Sequence, residues 1–286
     1  MSLRAAVLGH PIGHSKSPAL HRAAYARLGM DISYTAIDVT EELLPGFMQQ
    51  VRHQPGWRGL SVTMPLKTAI LPELDEVRGI ARTLGVVNTV SFEDGGDAAR
   101  TIGYNTDVAG IVNALRHGGA GQAPSAVILG GGGTAASAVA ALKELGTDRV
   151  HVYVRDPSRA GDVRAAAGSL GLDLDVRPLT EAARPAAEAD VVISTLPPRA
   201  ADGLGSEIAA LKTRTPGVLL DVAYDPWPSL AASVWQAGGG TVVPGLEMLL
   251  YQAVEQVRLF TRRDGDVNAA VIDVMCASVG LPRRAL

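Results

Sequence analysis

The chain has 286 residues, 47% of them hydrophobic and 19% charged, with a net charge of −3. That is enough apolar material to bury a core, and there is no basic excess to neutralise a phosphate backbone, so nucleic acid is not an expected partner. The 32 glycines, set against only three Phe, three Trp and six Tyr, suit tight βα turns and argue against an aromatic-rich β-sandwich.

Strand patterns are predicted at 5–8, 34–39, 59–63 and 86–90, with helices at 18–28 and 41–53 between them. An amphipathic helix at 107–116 and a Gly/Ala/Gln/Pro loop at 117–124 follow. From residue 125 the rhythm becomes regular: strand 126–129, a glycine turn, helix 134–145, strand 149–154, helix 158–170, then strands 173–176, 191–194 and 218–222. That order builds a parallel sheet from βαβ units. After a second hinge at 238–245, residues 246–262 and 267–278 are helical by spacing. The expected architecture is α/β in two domains. A discontinuous α/β substrate domain takes 1–106 and 245–286, including the C-terminal helices, and a Rossmann-type dinucleotide-binding domain takes 107–244. A cleft between them is a preferred ligand site. The single cysteine, Cys276, allows no internal disulfide, and no apolar run reaches the roughly 18 residues of a membrane span. The start over 1–5 lacks a signal-peptide pattern, so a cytoplasmic location and no membrane partner are expected.

The glycine turn, Gly130-Gly131-Gly132-Gly133-Thr134-Ala135, runs from a buried strand into a helix. Glycines permit the sharp turn and let a pyrophosphate approach the backbone, while the helix start supplies unpaired N–H groups. Gly130 and Gly132 take the first two places of GxGxxG and Ala135 the third. The second strand of the unit ends Val154-Arg155-Asp156-Pro157-Ser158-Arg159. Arg155 and Arg159 could clamp a 2′-phosphate, favouring NADP, whereas Asp156 could hold a 2′-hydroxyl, as in NAD sites, or merely start the next helix.

Near the N-terminus, Ser15 and Ser17 lie in a polar loop after a buried strand, with Ser17 expected as the N-cap before Pro18. Two hydroxyls beside a helix start can seat a carboxylate. His10, His14 and His21 raise a metal reading, but no acid or cysteine accompanies them at ligand spacing, so no metal is expected. A strand delivers Thr63, and Lys67 follows just past its end. With 26 basic residues of which only Lys16, Lys67, Lys143 and Lys212 are lysines, arginine serves as the generic cation, so a lysine inside a motif hints at a need for an ammonium. Further on, Asn88 interrupts an apolar strand, and Asn105-Thr106-Asp107 opens a helix, with Thr106 able to cap it while Asp107 points elsewhere.

Taken in order, Pro11-Ile-Gly-His-Ser15-Lys-Ser17-Pro18, Ser61-Val-Thr63-Met-Pro65-Leu-Lys67, Val87-Asn88-Thr89, Asn105-Thr106-Asp107, the glycine loop, Asp221-Val-Ala-Tyr224-Asp-Pro226 and Gly245-Leu-Glu-Met248-Leu-Leu-Tyr-Gln252-Ala253 closely resemble the shikimate dehydrogenase (AroE) family over nearly the whole chain. The resemblance implies NADPH-dependent reduction of 3-dehydroshikimate to shikimate, a step of chorismate and aromatic amino acid biosynthesis. It further implies that Ser15 and Ser17 hold the substrate carboxylate with Tyr224 nearby, that Thr63, Asn88, Asp107 and Gln252 bind ring hydroxyls, and that Lys67 and Asp107 form the catalytic pair. On the cofactor side it implies Gly130, Gly131, Gly132, Gly133 and Thr134 under the pyrophosphate, Arg155 and Arg159 on the adenosine phosphate, and Val222 and Gly245 along the nicotinamide. This chain departs from the family at Ser61, commonly Asn, at Val154-Arg155-Asp156, commonly an Asn-Arg-Thr run, and at Ser194-Thr195-Leu196-Pro197, where Asn-Ala-Thr is usual.

The chemistry is coherent on the residues alone: hydride addition to a ketone builds negative charge on oxygen, which a placed ammonium stabilises and protonates. Two alternatives stay open. One is a quinate/shikimate or aminoshikimate dehydrogenase using NAD(P), which Asp156 keeps alive. The other is a non-catalytic cofactor-binding regulatory protein, against which retention of both Lys67 and Asp107 speaks. The expected partner is a cyclic polyhydroxy carboxylate, and the chain is expected to be a monomer or homodimer.

Overall fold

The computed structural model describes residues 3–93 and 98–283; Met1 and Ser2 of the start therefore lie outside the described residues. The chain forms two compact units, Met1–Thr106 with Gln252–Leu286, and Asp107–Tyr251.

In the first unit, β1 (Leu3–Gly9), β2 (Ile32–Asp38), β3 (Trp57–Val62), β4 (Glu76–Val77), β5 (Thr89–Glu93) and β6 (Arg100–Tyr104) form one sheet in the order β2-β1-β3-β5-β6-β4. It is mixed. β1 pairs parallel with β2 and β3, and β4 with β6, while β5 runs antiparallel to β3 and β6. Its helices are α1 (Ser17–Arg27), α2 (Leu44–Arg52), α3 (Leu66–Ala69) and α4 (Ile80–Leu84). On one face Ala6, Leu8, Leu60, Val62 and Val90 pack with Leu44, Met48 and Val51 of α2 and with Leu66 and Ile70.

The second unit carries α5 (Asp107–His117), β7 (Ala126–Leu129), α6 (Gly133–Glu144), β8 (Arg149–Val154), α7 (Gly161–Leu170), β9 (Asp173–Pro178), α8 (Ala183–Glu188), β10 (Val191–Ser194), α9 (Asp202–Ala210), β11 (Val218–Asp221), α10 (Leu230–Ala237) and β12 (Thr241–Pro244). Two further helices, α11 (Gly245–Thr261) and α12 (Ala269–Ser278), end the described chain, and α12 packs on α1. The sheet is wholly parallel in the order β12-β11-β10-β7-β8-β9, the doubly wound arrangement in which the strand order reverses between β7 and β10. β7, β10 and β11 are buried at every position, as strands covered on both faces are. The outer strand β9 differs: it alternates Asp173, Asp175 and Arg177 and ends at Pro178. Arg149 Nε pairs with Asp173 at 3.2 Å, and His151 Nδ1 and Arg177 Nε with Asp175 at 3.2 and 2.8 Å.

The parallel sheet and its α/β order stand as expected, with corrections. The segment 238–245 is not all hinge, because Thr241–Pro244 pairs with β11 from Val218↔Thr241 to Asp221↔Pro244. The strand expected at 86–90 begins only at Thr89, since Val87 N–H donates to the Lys67 carbonyl and not to a neighbouring strand. β6 was not expected. Its Gly103 is required by packing, a Cβ there falling 2.6 Å from Leu74 Cδ1 and 2.9 Å from Val87 Cγ2.

Candidate active site

In the first unit the candidate substrate residues, apart from Gln252 on α11, follow the carboxyl ends of β1 and β3 or precede β5, where α/β sheets commonly bind ligands. The loop after β1 is held from two sides. His10 N–H donates to the Met64 carbonyl at 3.1 Å, and Asp38 accepts from Ile12 N–H at 3.3 Å while pairing with His10 Nδ1 at 2.7 Å. The His10 contact keeps the exposed Asp38 carboxyl below its ordinary pKa.

The N-cap role expected of Ser17 is not the one it takes. α1 begins at Ser17 itself, preceded by Lys16, which makes no capping bond; instead Ser15 Oγ accepts the Ser17 N–H at 3.3 Å. Ser17 is buried. Ser17 is therefore not the N-cap, because the chain turns helical one residue earlier than the serine–proline pattern suggests.

Thr63 follows β3, its N–H bonded to the Leu8 carbonyl at 2.9 Å. Lys67 is the second residue of the short α3, half-buried, with its carbonyl accepting Val87 N–H at 2.9 Å. Asn88, one residue beyond Val87, is 2% exposed. Its Oδ1 accepts Thr106 N–H at 2.7 Å and the Thr89 hydroxyl at 2.8 Å, and its Nδ2 donates to Thr106 Oγ1 at 3.0 Å and Gln252 Oε1 at 3.4 Å. The Thr106 hydroxyl is shared among Asn88, Thr89 at 3.2 Å and Gln252 at 3.5 Å. Asp107, buried, opens α5 at the start of the second unit, where a carboxylate suits the positive end of a helix.

In the second unit the glycine loop lies at the strand-order reversal. Gly130 has φ +110°, and a Cβ on it would strike Thr195 Oγ1; Thr195 in turn donates to the Leu129 carbonyl at 2.9 Å. Gly131 packs against the end of β8, a Cβ there lying 2.9 Å from Val154 Cγ1. Gly132 precedes α6 and puts no side chain across its first amides, and a Cβ on it would meet nothing within 4 Å. This cradle of open space before a 12-residue helix, continuing through Gly133 and the half-buried Thr134, fits a dinucleotide pyrophosphate. Arg155 and Arg159 are exposed beyond β8. Asp156 between them accepts from Ser158 N–H at 3.0 Å and Ser158 Oγ at 2.6 Å, bonds that lower its pKa, so it starts the 3₁₀ turn of Pro157–Arg159. These bonds give Asp156 the turn-starting role expected for it, and both fall on Oδ1. Helix α7 starts later than the predicted 158 for the same reason. Val222 and Gly245 come together, a Gly245 Cβ falling 2.6 Å from the Val222 carbonyl carbon, and Tyr224 is half-buried on the loop after β11.

Sequence reasoning missed several residues tied to this site. His21, read as a possible ligand, is wholly buried; it stacks on Tyr34 at 4.0 Å between ring centres and bonds to Gln256, and burial lowers its pKa to about 3. Gln256 itself carried a signal: a second glutamine one helical turn after Gln252 on an apolar face. At the end of β11, Asp221 accepts from Ser229 Oγ at 2.7 Å, and burial raises its pKa.

A doubly wound sheet with an open glycine cradle at its reversal, joined in one chain to a second sheet bearing a polar, lysine-containing cluster, defines the class of two-domain dinucleotide-binding dehydrogenases. A family model for the shikimate dehydrogenase substrate binding domain matches residues 7–90. The NADP(+) shikimate dehydrogenase of Rubrobacter xylanophilus is 38% identical over 270 residues, 92% of each chain. Among solved structures, Mycobacterium tuberculosis shikimate dehydrogenase is 37% identical, covering 98% of this chain and 100% of that one, with a TM-score of 0.83. The Thermus thermophilus enzyme, solved in complex with NADP(H) and shikimate, is 35% identical over 96% and 99%, with a TM-score of 0.79. By this relationship over its length, the chain belongs to the shikimate dehydrogenase family.

Proposed function

We propose that this protein is an NADP-dependent shikimate dehydrogenase that reduces 3-dehydroshikimate to shikimate, and that Lys67 and Asp107 are its catalytic pair. The observation that carries the site assignment is the buried Asn88–Thr106–Gln252 cluster, tied to the Lys67 backbone through Val87. Such a cluster gives fixed donors and acceptors to a polyhydroxy ring. Ser15 and Ser17 take its carboxylate with Tyr224, and Thr63, Asn88, Asp107 and Gln252 take its hydroxyls. Gly130–Thr134 hold the pyrophosphate, Arg155 and Arg159 the 2′-phosphate, and Val222 and Gly245 flank the nicotinamide.

Bound NADPH supplies the hydride. Lys67 Nζ stabilises the charge that develops on the carbonyl oxygen and delivers the proton to it. The Asp107 carboxylate accepts a hydrogen bond from the adjacent ring hydroxyl and orients the ammonium, fixing the reacting geometry. Asp156, engaged with Ser158, leaves the arginines to read the 2′ position, which supports NADP over NAD.

Among the described residues no helix is long and apolar enough to cross a membrane. A cytoplasmic monomer or homodimer acting on a small molecule is the corresponding reading of location and assembly. The test follows nicotinamide absorbance with shikimate and NADP+ or NAD+. Turnover with NADP+ is expected, with Lys67→Ala lowering kcat far more than it raises KM. Turnover with no ring acid, or an unchanged kcat in Lys67→Ala, overturns the assignment.

A further inference from the structure

Besides Asn88 and Gln252, the first unit holds a buried carboxamide on α11 that the catalytic reading leaves unused. Gln256, 1% exposed, lies on α11 one turn beyond Gln252. Its polarity is fixed from one end. Nε2 faces the Asn88 backbone carbonyl at 3.3 Å, a group that can only accept, and the Thr89 hydroxyl at 2.9 Å. Oε1 therefore receives bonds from His21 Nε2 at 3.1 Å and from Ser61 Oγ at 2.7 Å. The His21 proton sits on Nε2 as a result, and Nδ1 accepts from the Tyr25 hydroxyl at 3.0 Å. Ser61, having given its proton to Gln256, accepts from Tyr34 OH at 2.6 Å. Thr89, having accepted from Gln256, passes its own proton to Asn88 Oδ1 at 2.8 Å. Every donor along this chain points as that one carbonyl requires, and a fully satisfied buried network of this kind is rigid.

Resting on the reading of Asn88 as a substrate residue, we propose that Gln256 is a positioning residue for the substrate pocket: it holds Asn88 by its backbone carbonyl and, through Thr89, by its side-chain oxygen. Gln256 touches no reacting atom. It sets the register in which the Asn88 amide is presented to the ring hydroxyls, and Ser61 is part of its support.

The experiment compares Gln256→Met, which keeps the side-chain length and removes all four bonds, with Thr89→Val, which removes the hydroxyl that links Gln256 Nε2 to Asn88 Oδ1 and touches Thr106 Oγ1 but leaves the bond from Gln256 to the Asn88 carbonyl, and with Thr89→Ser, which restores the hydroxyl. KM for shikimate and KM for NADP+ are measured separately, and thermal melting is recorded for each variant. Gln256→Met and Thr89→Val should raise KM for shikimate by about five- to tenfold, the loss of roughly one buried hydrogen bond, with KM for NADP+ unmoved and Thr89→Ser close to the parent. If Gln256→Met does not fold, the Thr89 pair decides alone. Thr89→Val with an unchanged KM for shikimate, or with both KM values rising together, overturns the proposal. Asn88→Ala separates the two layers. If it leaves KM for shikimate unchanged, the substrate role of Asn88 fails and the proposal with it; if it raises that KM while Thr89→Val does not, only the positioning role fails.

Discussion

Replacing Gly132 by alanine should separate cofactor binding from folding. The backbone there is extended, at φ −91° and ψ −168°, a conformation any residue adopts, and an added Cβ meets nothing within 4 Å. The apo protein bears no strain, and removing glycine's freedom from the unfolded chain stabilises it by about 0.4–1 kcal/mol. The same open space is where the pyrophosphate is proposed to lie. A methyl group in it costs about 1–3 kcal/mol of binding, a factor of about 5–150 in Kd for NADP+. Gly130→Ala should do the opposite. Its φ of +110° suits glycine alone, and the new Cβ displaces Thr195 Oγ1 from its bond to the Leu129 carbonyl, for a combined loss of about 2–4 kcal/mol in stability. Urea unfolding of both apo variants and calorimetric titration with NADP+ make the comparison. Parental NADP+ affinity in Gly132→Ala, or unfolding of that variant as early as Gly130→Ala, would refute the reasoning.

Arg155→Ala should lower the ratio of kcat/KM for NADP+ over NAD+ by about tenfold or more, the worth of a charge-assisted bond to phosphate, and an unchanged ratio rejects the clamp. His21 governs an acid limb of stability. Its pKa falls from 6.5 to about 3 on folding, so the unfolded chain binds a proton in that window that the folded chain refuses. The contribution is therefore fully present above pH 6.5 and lost as the pH falls toward 3, up to about 5 kcal/mol. His21→Gln should flatten stability against pH over that range, and a slope equal to the parent's would assign the acid sensitivity to other groups.

The second unit was the more legible half. β7 and β10 are short apolar runs bounded by turn residues, β8 alternates Arg149 and His151 with valines, and the glycine loop lies between a buried strand and a helix as its pattern required. β12 escaped because Thr241-Val-Val-Pro244 is four residues framed by glycines, and only its ladder with β11 makes it a strand. In the first unit, Asn88 could be recognised as a polar residue in an apolar stretch, but its partners Thr106, Gln252 and Gln256 lie 18 to 168 positions away in sequence and meet only through the fold. The scarcity of lysine drew notice to Lys67 without isolating it. Lys143 is an ordinary partly exposed cation paired with Asp148 at 3.2 Å.

The outer strand β9 has a consequence for the chain before and after it folds. β7, β10 and β11 would pair with almost any open strand edge, since nothing in their side chains discourages it. At β9 the sheet instead offers a newcomer acids at alternate positions, a terminal arginine and a proline with no N–H to give. A second copy aligned there in parallel register would set carboxylates against carboxylates on one face. The ion pairs of Asp173 and Asp175 thus do little for the stability of a finished molecule, at about 0–1 kcal/mol each. Their greater effect is on company: they disfavour the addition of a further parallel strand at this edge of an apolar sheet.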